Sequence, residues 1–238
     1  MLGIITAVTT ERDAVLEKMN DVETYSFYNL QFYVGNIHNT RCIMTMSGVG
    51  KVNAARCAQM MIDKFEPGKI VNVGSAGALD PDLNIGDVII STECVQYDIN
   101  LTAFGIKKGA LSEDEDGFFK ADAGFASLCE KAMNDSISDA FKIILGPIAT
   151  GDRFNDSPEK KAKIYQEFGA LCNEMEGAAV AQVCALCEVP FVVIRSISDN
   201  SDEDTLMSYN NFKKLASERC VNFLVNLVME IEKSPVTI

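Results

Sequence analysis

The 238-residue chain is 47% hydrophobic, which is enough to bury a sizeable core in one large α/β domain or in two small ones. Its net charge of -13, with 21 basic residues that form no cluster, argues against a nucleic-acid or anionic-membrane partner and favours a small ligand. The first residues lack the basic flank and long apolar stretch of a signal peptide, and no stretch has the apolar length of a membrane span, so we expect a cytoplasmic protein.

Apolar runs rich in Val and Ile alternate with segments of helical period, a pattern that predicts a mostly parallel sheet covered by helices. The predicted elements, in chain order, are a strand at 2–8, a helix from about Thr10, a two-stranded hairpin at 24–37, a strand at 41–47, a helix at 52–65, strands at 69–77 and 87–95, a helix at 123–133, a strand at 141–151, a helix after Ser157, a strand at 190–198 and a helix at 208–232. No linker or repeat divides the chain, so we predict one domain over residues 1–232 and a frayed tail at 233–238.

The eight cysteines lie inside apolar segments such as RCIMTM and VAQVCALC, where thiols behave as small hydrophobic groups. Cys184 and Cys187 have the spacing of a metal-binding pair. No second pair exists, however, and His38 is the single histidine of the sequence, so we expect the two cysteines on one face of a buried helix. We predict no metal and no cofactor.

Two glycine-rich turns fail to complete the phosphate-binding motifs that they resemble. In SGVGKVNAA, Thr45 and Val52 stand where a P-loop needs glycine and Ser or Thr, and Asn53 stands where the dinucleotide fingerprint needs its third glycine. In VNVGSAGAL, Gly74 and Gly77 permit either a sharp turn or the close approach of a ligand to the backbone N–H groups of Gly74, Ser75 and Gly77. Both interpretations stay open at this stage.

The stretch CNEMEGAAVAQVC places Glu174 and Glu176 directly before an apolar helix. Acids in the first turn stabilise a helix by roughly 0.3 to 1 kcal/mol, which explains one glutamate better than two. Glu11 and Asp199 also follow apolar strands, and the carboxyl ends of parallel strands meet at one edge of a sheet. The sequence therefore predicts a crevice lined by carboxylates, which suits hydrolysis of a glycosidic bond with a purine leaving group.

Several motifs occur in the order and approximate spacing of a known family, namely GIITAV with Glu11, SGVGK, VGSAG, LTAFG, ATGDRF, EMEGAA and VVIRSISD. Over about residues 3–228 the chain resembles the 5'-methylthioadenosine/S-adenosylhomocysteine nucleosidases of the nucleoside phosphorylase superfamily. The resemblance implies a single α/β domain, with a mixed and partly barrel-like central sheet flanked by helices, in a homodimer. It also implies hydrolysis of the N-glycosidic bond of both nucleosides, with release of adenine.

The resemblance implies a role for each residue that matches the family pattern. Glu11 is the base that activates the attacking water, aided by Ser75 and Arg195, and Asp199 is the acid that protonates adenine. Residues implied to contact the sugar and the base are Glu176, Met175, nearby Glu174, Phe154 and the backbone of Asn155. Residues implied to line the pocket for the 5'-thio substituent are Val49, Leu101, Phe104 and Tyr209, with Leu101 and Phe104 reaching in from the neighbouring subunit.

Three residues depart from the family pattern and leave the base and the 5' substituent open. Asn155 stands where isoleucine is common, Arg153 precedes the stacking Phe154, and Ser112 stands where the pocket loop commonly has proline. Retention of Asp199 favours adenine.

Other functions on the same fold remain as alternatives. A phosphorylase would attack with phosphate, which Glu11 would repel unless Arg12 compensated. A hydrolase of another purine nucleoside such as futalosine is a second alternative, and a non-catalytic nucleoside-binding or storage protein is a third. Retention of Glu11, Glu176 and Asp199 together argues against the storage protein.

Overall fold

The computed structural model describes residues 1–134, 141–199 and 205–233. The strands are β1 (Leu2–Thr6), β2 (Asn20–Phe27), β3 (Leu30–Ile37), β4 (Thr40–Met46), β5 (Lys69–Ala78), β6 (Val88–Gln96), β7 (Phe118–Lys120), β8 (Ile143–Thr150), β9 (Cys172–Glu174) and β10 (Phe191–Asp199). The helices are α1 (Thr9–Leu16), α2 (Lys51–Phe65), α3 (Ala123–Asn134), α4 (Pro158–Phe168), α5 (Gly177–Leu186) and α6 (Thr205–Lys233), with a 3₁₀ turn at Thr102–Phe104.

The sheet is mixed and closes on itself at one end. Strand β5 pairs with β10, β10 with β6, β6 with β8, β8 with β9, and β9 returns to β5. The other side of β5 continues as an open sheet through β1, β4, β3 and β2. This confirms the expected single α/β domain with a partly barrel-like sheet.

The pattern of apolar runs was wrong about strand direction. In the described chain, five of the ten pairings are antiparallel, including β2 with β3, β3 with β4, and β10 with β6. The runs still look continuous because strands such as β1 are buried on both faces, and burial on both faces is what removes the alternation of polar and apolar residues. Periodicity reports burial and does not report direction.

Helices cover both faces of the sheet, and neighbouring strand residues point to opposite layers. Ile4 packs in the layer that contains Phe125 of α3 and Leu227 of α6, whereas Ile5 packs in the layer of α2 and α5. The small residues of α5 let it lie close to the sheet, and all of Gly177–Ala181 is buried.

The domain bounds of 1–232 and the frayed tail stay predictions. Helix α6 extends to Lys233, and residues 234–238 lie outside the described part of the chain. No helix in the described ranges is long and apolar enough to cross a membrane.

The cysteines whose side chains are described, a set that omits Cys220, are all free thiols. Cys184 is buried in α5, whereas Cys187 lies at the end of that helix and is partly exposed. Among the described side chains, no cluster of three or more His, Cys, Asp or Glu is arranged to hold a metal ion.

Candidate active site

A cavity of about 240 Å³ opens where the ends of β5, β9 and β10 meet the first turns of α1 and α5. The predicted site residues that line it are Glu11, Val49, Ser75, Gly77, Phe154, Asn155, Glu174, Met175, Glu176, Arg195 and Asp199. Leu101 and Phe104 do not line it. Leu101 immediately precedes the 3₁₀ turn after β6, and Phe104 ends that turn and is 74% exposed. Tyr209 lies in α6, but its side chain falls outside the described residues.

The carboxylates reach one cavity through two different strand arrangements. Strand β10 is parallel to β5, and Asp199 pairs with Gly77. Strand β9 is antiparallel to β5, and Asn173, next to Glu174, pairs with the same Gly77. The expectation that the acids lie at one edge of a parallel sheet therefore holds for Glu11 and Asp199, which follow and end the parallel strands β1 and β10, and is wrong for Glu174 and Glu176.

Glu11 lies in the first turn of α1 and is only 4% exposed. Its Oε2 accepts hydrogen bonds from the backbone N–H groups of Ala7 (2.9 Å) and Val8 (3.2 Å), and its Oε1 accepts one from Ser75 (3.3 Å). Burial raises the pKa of Glu11 above its ordinary value, against the opposing effects of the Ala7 bond and the charge of Arg195. A buried carboxylate with a raised pKa is suited to accept a proton near neutral pH.

Gly74 and Gly77 make room for the two acids that flank β5. A Cβ at Gly74 would lie 3.0 Å from Glu11 Oε1, and one at Gly77 would lie 2.7 Å from Asp199 Oδ2. Strand β5 continues through both positions, so neither glycine marks the sharp turn that the sequence allowed. Their missing side chains permit the close approach of carboxylates to the strand.

Glu174 accepts hydrogen bonds from protein groups at both of its carboxylate oxygens. Its Oε2 accepts hydrogen bonds from the N–H groups of Glu176 (3.0 Å) and Gly177 (2.7 Å) and from Arg195 Nε (3.2 Å) and Nη2, while Oε1 accepts one from the Thr150 hydroxyl. Glu174 thus binds the first N–H groups of α5 and forms a buried ion pair with Arg195. It is the glutamate that stabilises the helix terminus.

Glu176 is the residue immediately before α5, and it lines the cavity. Its Oε1 accepts a hydrogen bond of 2.8 Å from the N–H of Gly50, the residue immediately before α2, whose φ of 98° favours glycine. Burial raises the pKa of Glu176 to about 7, and the nearby charge of Glu174 adds to the effect, against Arg195 and the Gly50 bond. The two glutamates of the EMEG motif therefore have different environments.

Asp199 ends β10 and is 3% exposed. Its Oδ2 accepts a hydrogen bond of 2.8 Å from Lys161 Nζ, and the hydroxyl of Ser198 lies 2.9 Å from its Oδ1. Sequence reasoning missed Lys161. The available signal was its position three residues before Ile164, on the buried face of amphipathic α4.

Two asparagines make this cavity more polar than its sequence motifs indicate. Asn155 donates a hydrogen bond of 2.9 Å from its Nδ2 to the Tyr97 hydroxyl. The buried Oδ1 of Asn173 has no hydrogen-bond partner within the described structure, and Asn173 lines the cavity. Sequence reasoning also missed Asn173.

Comparison with known proteins identifies the family. The chain matches the phosphorylase superfamily over residues 1–229. It is 37% identical over 232 residues to the 5'-methylthioadenosine/S-adenosylhomocysteine nucleosidase of Bacillus thuringiensis subsp. konkukian, covering 97% of this chain and 99% of that protein. The chain belongs to this nucleosidase family. The resemblance seen in its motifs is confirmed.

Solved structures of similar proteins have the same fold. The nucleosidase from Neisseria meningitidis in complex with methylthio-immucillin-A superimposes with a TM-score of 0.90 at 34% identity, over 95% of this chain and 97% of that one. The futalosine hydrolase of Helicobacter pylori strain 26695 gives a TM-score of 0.90 at 34% identity, over 96% of this chain and 97% of that one. The family fold thus covers nearly the whole chain.

Proposed function

We propose that this protein hydrolyses the N-glycosidic bond of 5'-methylthioadenosine and S-adenosylhomocysteine, releasing adenine and the 5-thioribose product. The observation that carries the proposal is the convergence of three buried acids, Glu11, Glu176 and Asp199, on one cavity. Family membership at 37% identity over 97% of the chain supports the same activity.

Glu11 acts as the base in this proposal. It accepts a proton from a water molecule while the water oxygen attacks the anomeric carbon of the sugar. The raised pKa of Glu11, caused by burial, supports the role because a base works best when its pKa lies near the working pH. The backbone bonds from Ala7, Val8 and Ser75 fix the carboxylate before the substrate arrives.

Asp199 protonates the base as the glycosidic bond breaks and its electron pair passes to the purine. Phe154, which is 45% exposed at the cavity, stacks on the purine, and the backbone of Asn155 contacts its edge. Glu176 accepts hydrogen bonds from the ribose hydroxyls, and Met175 packs against the sugar. The positive charge that develops on the sugar is stabilised by nearby carboxylates.

Water fits the cavity better than phosphate as the nucleophile. Phosphate needs cationic groups, and in the described lining these are Arg153 and Arg195. Arg195 is bonded to Glu174 and to Asn72 Oδ1 (2.6 Å), and Arg12 pairs with Asp13 and does not line the cavity. The buried Glu11 and Glu176 would repel an anion. The charge distribution therefore favours hydrolysis over phosphorolysis.

A homodimer completes the proposal. Phe104 is a large aromatic side chain left mostly exposed in this chain, which fits the inference that it and Leu101 contact the pocket of a second copy. Val49 is half exposed at the cavity, and with Tyr209 it would line the place of the 5' substituent. Sedimentation of the purified protein tests the dimer.

We also infer a cytoplasmic location and a place in methionine salvage. The free thiols at the described cysteines, all buried except Cys187, fit a reducing compartment. Subcellular fractionation tests the location.

One assay decides the reaction. Methylthioadenosine, S-adenosylhomocysteine, futalosine and inosine are each incubated with the enzyme, with and without phosphate, and the released base and sugar are identified by chromatography. We expect adenine and a free thioribose at equal rates with and without phosphate. A sugar phosphate would establish a phosphorylase, and release of base from futalosine alone would favour the activity named for the Helicobacter pylori structure.

A further inference from the structure

Lys161 and Asp199 form an ion pair that is closed off from solvent. Lys161 Nζ lies 2.8 Å from Asp199 Oδ2, and the two side chains are 1% and 4% exposed. A buried ammonium group is strongly disfavoured unless an anion compensates its charge. The fold therefore accepts a buried lysine directly beside one of the acids of the cavity.

Helix α4 fixes the position of this lysine. Its N-terminus begins with Pro158, and the Ser157 hydroxyl accepts a hydrogen bond of 3.3 Å from the N–H of Lys160. Lys160 is 60% exposed and pairs with Asp156, whereas the adjacent Lys161 is buried. Lys160 therefore provides an exposed control for substitutions at the buried Lys161.

We propose that Lys161 is a positioning residue for proton transfer to the leaving base, holding the Asp199 carboxyl and stabilising the negative charge that this carboxyl acquires. The inference rests on the function proposed above. In the step, the O–H bond of Asp199 breaks, an N–H bond forms on the base, and the electron pair of the glycosidic bond passes to the base. An ammonium group attracts the resulting carboxylate more strongly than the neutral acid, so it acts mainly on the transition state.

The Ser198 hydroxyl is a hydrogen-bond partner for the Asp199 carboxyl group. Its Oγ lies 2.9 Å from Asp199 Oδ1 and 3.2 Å from the carbonyl oxygen of Ala76. A hydroxyl has one proton and two lone pairs, so while it donates to Ala76 it can accept the proton of Asp199. Once the proton has moved to the base, the Asp199 carboxylate is held by Lys161 at Oδ2 and by the Ser198 hydroxyl, which then donates, at Oδ1.

The test compares two leaving groups. Lys161→Met, Lys161→Gln, Asp199→Asn, the double variant Lys161→Met/Asp199→Asn and the surface control Lys160→Met are assayed for kcat and KM. The substrates are methylthioadenosine and 4-nitrophenyl 5-methylthioriboside, whose nitrophenolate departs without needing a proton. Glutamine keeps a hydrogen-bond donor without the charge, so Lys161→Gln remains informative if the methionine variant does not fold.

We expect both Lys161 variants to lose about tenfold to a hundredfold in kcat on methylthioadenosine, with KM little changed. This is less than the roughly hundredfold to ten-thousandfold effect of a group that transfers the proton itself, because Lys161 acts through Asp199. Their turnover of the nitrophenyl riboside should stay close to that of the wild type, and Lys161→Met should add nothing in the Asp199→Asn background. Equal losses on both substrates, unchanged turnover of methylthioadenosine, or a further loss in the double variant would each overturn the proposal. A wild-type enzyme that cleaves neither substrate would instead refute the proposed function.

Discussion

Replacing Glu176 by glutamine should stabilise the protein above neutral pH while it removes activity. The carboxylate is buried close to Glu174, and its pKa is raised from 4.5 to about 7. Glutamine keeps an acceptor for the N–H of Gly50 and removes the charge. The expected outcome is a gain in stability at the expense of the sugar contact, as is common at functional sites.

The sign and size follow from linkage between proton binding and folding. Between pH 4.5 and about 7 the folded protein keeps a proton on Glu176 that the unfolded chain has released, so the free energy of unfolding falls as the pH rises. A shift from 4.5 to about 7 corresponds to about 3 kcal/mol, since each pKa unit is worth about 1.4 kcal/mol. The glutamine variant lacks this fall, so its advantage over the wild type should grow with pH up to about 3 kcal/mol at pH 8.

Urea unfolding of both proteins at pH 5, 6, 7 and 8, at one protein concentration, measures this difference. Glu115→Gln is the matched control, because it makes the same change of residue type at an exposed position in a surface loop. A stability difference between Glu176→Gln and wild type that is constant with pH, or that shrinks as the pH rises, would refute the reasoning.

Three further substitutions test other parts of the site. Gly77→Ala places a methyl group 2.7 Å from Asp199 Oδ2, so it should displace the acid and lower the free energy of unfolding by about 1 to 3 kcal/mol. It should also reduce kcat more than the control Gly124→Ala, whose Cβ meets nothing nearer than 3.5 Å. Calorimetry and turnover measurements check both effects. Arg195→Met leaves Glu174 buried without its ion-pair partner and should destabilise the fold by about 3 to 5 kcal/mol in urea, and a loss below 1 kcal/mol would contradict the pairing. Asn173→Val removes a buried acceptor that has no partner within the described structure, so it should raise the free energy of unfolding by about 1 to 3 kcal/mol. Titration calorimetry with adenine shows separately whether this acceptor also contributes to binding of the base.

The sequence predicted the elements well where hydrophobic runs were long. Strand β10 and helix α2 begin and end within a few residues of their predicted bounds, because each buries a long apolar surface. Strand β7 was missed because it has only three residues, and it is a strand because it pairs with β6, a partner distant in the chain. Pairing of this kind leaves little trace in local composition.

In the candidate site, too, the sequence predicted some features and could not predict those that depend on tertiary packing. Motifs identified the acids, but the division of work between Glu174 and Glu176 depends on which one reaches Arg195, and this is set by the return of β9 to β5. The spacing of Lys161 from Ile164 indicates the buried face of α4, but nothing local to the sequence indicates the ion pair that Lys161 forms with Asp199. Sequence gives residue types, whereas burial of a charge depends on tertiary packing.

The charges of the cavity are arranged for a cation that forms only during reaction. Arg195 forms an ion pair with Glu174, and Lys161 forms one with Asp199. Glu11 and Glu176 instead accept hydrogen bonds from backbone N–H groups. Burial raises the pKa of both Glu11 and Glu176, which means that their charged forms are disfavoured in the folded protein. An oxocarbenium-like sugar between them would supply the missing positive charge, so these two carboxylates should bind a cationic analogue of the sugar more tightly than a neutral one. Isothermal titration of a matched pair of iminoribitol and ribose ligands measures this preference, and equal affinities would remove the electrostatic basis for the proposed reaction.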